Sequence, residues 1–338
     1  MSPELAGVRT PGPGGLRLLA GGDSLNVVDA ATGTRSPDTG VAVPPGGAVT
    51  ELLSVGGGTL VVVQPDQSGT ESGIGRVYLL RPGPAPAELA RADEVVAGAR
   101  PGRIWAIVHS RQPGGKTTLA EVTSAGRPLS KRLVPESWQL LADTGSGLLV
   151  AAYRQEPPGE LMILDPVSLR VGRSVGPVTE VVAATPRLAA WTGPSCAERC
   201  DLIVGDPRDD RRKTFRLDAN FGVGRAVFSP DERQLAIAYY GRHGFDRPAT
   251  AGFVEVLDLG TGHRTRVPGV ATSEKQAADV CWSSDGRWLG IGVRWPEQGY
   301  QRLAVWPVSG GPVVELPGRL PVSYASALLA MTSGEVAP

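Results

Sequence analysis

The chain has 338 residues, 41% of them hydrophobic, enough to bury a large core, and its 34 basic residues balance 34 acidic ones. Balanced charge weighs against a nucleic-acid backbone or an anionic membrane as the main partner, because both reward a basic excess. No segment reaches the roughly 18 apolar residues of a membrane-spanning helix.

Met1-Ser-Pro-Glu opens without the basic and apolar regions of a signal peptide, which taken literally describes a cytoplasmic protein. Residues 1–14 are rich in Pro and Gly and read as a flexible tether, and a chain trimmed just behind a signal or anchor has the same look. From Leu16 onward, short apolar runs bounded by Gly, Pro, Asn and Asp follow one another, with no helical periodicity of useful length. Aligning the second strand of each unit on its first strong aliphatic residue gives Leu18, Leu60, Ile104, Leu149, Leu188, Leu235 and Leu289. That recurrence fits the period of about 40–45 residues of four-stranded propeller units, so seven anchors predict seven blades.

First strands are predicted ahead of these anchors at 49–55, 94–99, 138–142, 180–184, 225–228 and 279–282. The first unit lacks one, because Leu16-Arg-Leu-Leu-Ala and Leu25-Asn-Val-Val-Asp begin too near the N-terminus, while residues 322–331 form a spare apolar run at the other end. The tail is therefore expected to complete blade one and remove an unpaired edge. The expected fold class is all-β, a seven-bladed β-propeller of four-stranded antiparallel blades over residues 15–332, with 333–338 as a flexible tail.

The two best-formed units carry Phe228-Ser-Pro-Asp-Glu-Arg and Trp282-Ser-Ser-Asp-Gly-Arg. These resemble the WD40-like repeat of TolB-type propellers, in which an aromatic precedes Ser-Pro-Asp-Gly, a basic residue and an aliphatic strand. Glu232 stands where that pattern has Gly, and Ser284 where it has Pro. Pro presets the turn's first dihedral, Asp caps its amides and Gly accepts a left-handed conformation. Blades one to five keep only degenerate turns such as Gly56-Gly-Gly and Asp143-Thr-Gly-Ser-Gly. The resemblance implies a binding scaffold of the cell envelope, although such a motif marks a fold and brings no chemistry. Abundant Gly, Pro, Ala and Val, with lysine confined to Lys116, Lys131, Lys213 and Lys275, is the bias of a GC-rich genome, and an actinobacterial source is expected.

Motifs with catalytic potential fail on context. Gly172-Arg-Ser174-Val-Gly176 spells a hydrolase nucleophile elbow, but Pro177 and another strand follow where a helix is required, so an edge-strand turn is expected. Ser283-Ser-Asp-Gly and Gly222-Val-Gly-Arg read as turns rather than as an Asp-box or a dinucleotide loop. The three histidines are His109, His243 and His263, the first two in equivalent loops and the third in an outer turn, so neither a metal nor another cofactor is expected.

Cys196-Ala-Glu-Arg-Cys200 places two thiols in one loop beside Gly193-Pro, within reach of a disulfide and without the second pair that zinc wants. A bridge there implies an oxidising compartment and export, free thiols being the alternative. Cys281 reads as a buried small hydrophobe. Long connections between second and third strands fall at 64–76, 109–116, 154–160, 192–201, 240–252 and 294–302, all emerging on one face. On two adjacent loops Arg242, His243, Phe245 and Arg247 face Arg294, Trp295 and Tyr300, a mixture that protein contacts favour, with local packing of Trp295 and Phe245 against blade edges as the alternative.

The chain is accordingly expected to be a monomeric, extracytoplasmic, non-enzymatic scaffold that binds a protein or peptide partner through this face, and no nucleic acid. The rival class is a propeller enzyme of lyase, lactonase or glycan-cleaving type, with Glu94, Glu180 and Asp279 at first-strand starts supplying carboxylates. A third class is a structural module of a larger envelope receptor.

Overall fold

The computed structural model describes residues 3–9, 11–36, 39–55, 58–65, 73–81, 85–110, 115–135, 137–153, 158–193, 200–218, 220–241, 251–272, 277–321 and 328–333. The fold is all-β, a seven-bladed β-propeller of four-stranded antiparallel blades. Blade one takes Leu328–Ser333, Leu16–Gly21, Asn26–Asp29 and Arg35–Ser36, so the C-terminal strand does complete it. Blade two follows as Ala48–Val55, Gly58–Gln64, Arg76–Leu80 and Ala87–Arg91, and blade three as Glu94–Ala97, Arg103–Val108, Lys116–Thr123 and Pro128–Pro135. Blade four is Trp138–Asp143, Leu148–Ala152, Gly159–Leu164 and Val171–Val178. Blade five is Glu180–Ala184, Ala189–Thr192, Cys200–Gly205 and Arg212–Leu217. Blade six is Phe221–Phe228, Gln234–Gly241, Val254–Asp258 and Arg264–Arg266. Blade seven is Asp279–Trp282, Trp288–Trp295, Tyr300–Pro307 and Val314–Glu315, with Leu320–Pro321 also paired to its third strand. Among the described residues, no helix is long and apolar enough to cross a membrane.

Two compact units divide the chain, one of Met1–Gly73, Tyr78–Pro86 and Asn220–Pro338, the other of Ile74–Val77 and Ala87–Ala219. In the first, the C-terminal strand pairs antiparallel with Leu16–Gly21 from Leu16↔Ser333 to Gly21↔Leu328. Successive residues of a strand point to opposite faces. Ala330 accordingly enters a cluster with Leu19, Val49, Leu52 and Val61 of blades one and two, and Met331 one with Leu18, Cys281, Leu303 and Val305 of blades one and seven. In the second unit, Trp105, Ile107, Leu148 and Val150 pack between blades three and four, and Leu149, Leu161, Val178 and Trp191 between blades four and five.

The turns after the first strands of blades six and seven are one device built twice. Ser229 donates its hydroxyl to Asp231 at 2.7 Å and accepts the Gln234 amide at 3.0 Å, and Ser283 does the same with Asp285 at 2.6 Å and Trp288 at 2.9 Å. Hydrogen bonds from these hydroxyls hold both aspartates below the usual carboxylate range, Asp285 at about 2. Gly286 takes the left-handed conformation at φ 70, and Glu232 takes it too at φ 57, so the position is set by the turn even where glycine is missing.

A second repeated device closes the turns between the third and fourth strands of blades one, four and six. Asp29 Oδ1 accepts the Thr32 amide and hydroxyl, Asp165 Oδ1 accepts those of Ser168, and Asp258 Oδ1 accepts those of Thr261. The spacing Asp-x-x-Ser/Thr is a capped turn in each case.

Several expectations change. The stretch expected as a tether is fastened over part of its length: Glu4–Leu5 pairs with Val270–Ala271, the Ala6 amide donates to Gly269 and that of Val8 to Val313. Leu5 is buried among Val267, Val270 and Val313. Glycine there serves close approach rather than freedom, because a Cβ on Gly7 would meet the Val313 carbonyl oxygen at 2.8 Å and one on Gly12 would meet that of Ala30. The connection expected at 294–302 is shorter, since the second strand of blade seven runs to Trp295 and the third begins at Tyr300, bridged by the single turn Pro296–Gln298. Ser174 and Gly176 lie inside a paired strand, Ser174 opposite Met162, and Gly222 and Gly224 lie inside the first strand of blade six, so neither motif is a turn. Of the tail expected at 322–331, residues 322–327 lie outside the described residues.

Candidate functional site

The continuation of the second and third strands of blade seven brings together the part of the expected contact surface that is described. Trp295 and Tyr300 are the last register pair before the turn, and their rings stack at 5.4 Å with planes 20° apart. The Arg302 guanidinium lies 5.4 Å from the Trp295 ring and the Arg319 guanidinium 4.3 Å from the Tyr300 ring. The order from solvent inward follows exposure: Arg319 is exposed, Tyr300 half-buried and Trp295 buried. Trp295 thus anchors the stack within the core cluster of blades six and seven, while Tyr300 and Arg319 present its accessible surface. Arg302 is held by the buried carboxylate of Glu315.

Beside the stack, Arg294 Nη2 donates to Asp279 Oδ2 at 3.1 Å, with 16% and 8% of the two side chains exposed. Burial pushes the Asp279 carboxyl up from its ordinary range, and the positive charges of Arg294 and Arg225 pull it back. Below it the Cys281 thiol is pushed up to about 12 by burial and by Asp279, so it stays a protonated small side chain.

Blade three repeats the acid-base placement. Glu94 opens its first strand and His109 stands just past the end of its second, while in blade seven Asp279 opens the first strand and Arg294 is the last residue but one of the second. His109 Nε2 lies 3.0 Å from Glu94 Oε1, its Nδ1 lies 3.4 Å from the Thr117 hydroxyl, and its amide donates to Asp93 at 2.8 Å. Glu180 opens blade five and is exposed. His263 sits in the outer turn of blade six, as expected. Among the described residues no group of three or more His, Cys, Asp or Glu side chains converges as a metal site.

Arg242, His243, Phe245 and Arg247, the other half of the expected surface, lie outside the described residues, as does Cys196. Cys200 is buried at the start of the third strand of blade five. Arg302, Arg319 and Glu315 were not expected to take part. Arg302 and Glu315 sit on neighbouring strands outside the repeat motif, and the available signal was the arginines at 294, 302 and 319 around Trp295 and Tyr300.

No known family profile matches the chain, and no curated protein matches it in sequence. Solved structures do match in shape. The periplasmic gluconolactonase PpgL of Pseudomonas aeruginosa aligns over 93% of this chain and 99% of its own, with a TM-score of 0.59 at 15% identity. A putative 6-phosphogluconolactonase of Bacteroides fragilis aligns over 94% and 98%, with a TM-score of 0.57 at 12% identity. TolB of Acinetobacter baumannii aligns over 83% and 81%, with a TM-score of 0.51 at 12% identity. Identities this low establish a shared propeller fold and nothing about activity.

Proposed function

We propose that the chain is a binding propeller of the cell envelope that holds a protein or peptide partner against the blade-seven hairpin and the neighbouring loop with Arg242, His243, Phe245 and Arg247. The observation that carries this is the stack of Arg319, Tyr300, Trp295 and Arg302, a rigid aromatic pair flanked by guanidinium groups with one face toward solvent. Such groups bury large area at low entropic cost and supply directed hydrogen bonds. An envelope setting is supported by the TolB-like turns of blades six and seven and by the periplasmic location in the name of the Pseudomonas neighbour. The GC-rich residue bias supports an actinobacterial source. Tyr300→Ala and Arg319→Ala test the surface, because neither side chain is buried. Each is expected to weaken capture of a partner from the native host by about 1–4 kcal/mol, with the melting temperature unchanged in Arg319→Ala, whose side chain is exposed. Unaltered capture by both variants rejects the surface.

Export further rests on a Cys196–Cys200 bridge, supported by Cys200 not being among the free thiols of the described residues, where Cys281 is the free one. Protein made under oxidising conditions and unfolded without reduction should show two fewer alkylatable thiols by mass spectrometry than the same protein unfolded after reduction. Equal numbers before and after remove the bridge.

One observation favours an enzyme instead. Glu94, His109 and Thr117 form a hydrogen-bonded line at the rim of blade three, with the imidazole 31% exposed, an arrangement suited to proton transfer. Hydrolysis of aldonolactones that disappears in His109→Gln establishes this reading, and its absence in the unaltered protein removes it.

A further inference from the structure

At the opposite end of blades six and seven from the Trp295 stack, the outer turn of blade six and the end of the third strand of blade seven enclose a cleft of about 380 Å³. Its floor is apolar, formed by Val256, Val308 and the buried Trp306, whose indole N–H is already committed to the Gly311 carbonyl at 3.1 Å. Its walls are polar, from Gln234, Asp258, His263 and Thr265. Elsewhere in these turns polar side chains satisfy one another, as Ser229 does with Asp231. Here the side-chain amide of Gln234, the His263 ring and the Thr265 hydroxyl make no hydrogen bond to any described residue, the bonds of Gln234 and His263 coming from their main chains. Such groups keep their full capacity for a ligand.

The complement of these groups selects the ligand class. An amide, a hydroxyl and an imidazole each offer both a donor and an acceptor, which matches a ligand whose own groups do both. The Asp258 carboxylate, held ionised by the amide and hydroxyl of Thr261, opposes an anion. A cation gains one carboxylate but must sit on an apolar floor, which costs desolvation. The volume is that of a small-ligand site. We infer that this cleft binds one uncharged, polyhydroxylated ring, a monosaccharide or the terminal sugar of a glycan, with its hydroxyls on Gln234, His263 and Thr265 and its C–H face on Val256 and Val308.

The site is independent of the surface proposed above, since it lies at the other end of the blades and shares no residue with it. Saturation-transfer NMR on the whole chain tests it, with methyl β-D-glucopyranoside, methyl α-D-mannopyranoside, D-galactose and N-acetyl-D-glucosamine as probes and glucose 6-phosphate and lysine as charged comparators. At least one neutral sugar is expected to bind saturably with a millimolar Kd. Thr265→Val keeps the shape and removes the hydroxyl, and Gln234→Met keeps the length and removes the amide. Each is expected to weaken that sugar about tenfold, equivalent to about 1.4 kcal/mol. Both are made separately, so that a variant with a lowered melting temperature leaves the other to decide. No saturable sugar binding at about 50 mM, binding unaltered in the folded variants, or equal binding of the charged comparators overturns the assignment.

Discussion

A chain ending at Gly318 is expected to lose its cooperative thermal transition. The deletion removes the whole first strand of blade one, leaving the edge of Leu16–Gly21 without the partner that runs from Leu16↔Ser333 to Gly21↔Leu328. It also withdraws Ala330 and Met331, 5% and 4% exposed, from clusters that join blades one, two and seven. The loss is distributed over three blades, and it exceeds the roughly 5–15 kcal/mol by which a domain is stable. Met331→Ala reads the same contact in graded form, at about 2–5 kcal/mol. Calorimetry with size-exclusion chromatography checks both, and a truncated chain that stays monomeric with an unchanged transition would sink the idea.

Arg294→Met should cost about 3–5 kcal/mol near neutral pH, because it retains the stem of the side chain yet leaves the Asp279 carboxylate buried without its nearest positive charge. The sign of the pH dependence follows from Asp279, whose carboxyl already lies above its ordinary value of 3.8 in the folded state. A carboxyl that holds its proton more tightly folded than unfolded favours the fold at low pH, and this contribution is lost as pH rises through the folded value. Without Arg294 that folded value rises further, so the deficit of the variant should shrink on acidification and be greatest above it. Urea unfolding at about pH 5 and about pH 7.5 measures this, with Asp279→Asn in the Arg294→Met background expected to restore stability at the higher pH. A deficit equal at both pH values, or none at all, rejects the role of the pair.

Legibility in the sequence followed the range of the interactions. Period-two apolar runs and the Ser-x-Asp turns are local, so the second strands around Leu18, Leu60, Ile104, Leu149, Leu235 and Leu289 lie where the spacing put them. Leu188 falls one residue short of its strand, which begins at Ala189. The Asp-x-x-Ser/Thr turns at Asp29 and Asp165 are equally local; the first keeps Gly33 at φ 69 where blade six has Gly262 at φ 76, and the second puts Leu169 there at φ 56. What could not be read was whatever depends on contacts between distant segments. Pro and Gly in residues 1–14 carry the same composition whether the segment is loose or, as at Leu5, laid against blade six. Trp295 and Arg294 were expected to face a partner from their place in a loop. The strand that carries them is longer than expected, and it turns one ring into the core and the guanidinium onto Asp279.

The origin of blade one from both ends of the chain also bears on how the protein is made. Leu16–Gly21 leaves the ribosome long before Leu328–Ser333, and their pairing is the most distant in sequence among the described residues. The entropy of that closure is spent before any contact rewards it, which places it late in folding. Until then Leu18 and Ala20, buried in the finished protein, border an open strand edge that any other nascent or unfolded chain can extend. The hazard lasts until Leu328–Ser333 has been made and docked, and it makes that strand the one that decides whether Leu16–Gly21 has been kept from aggregating.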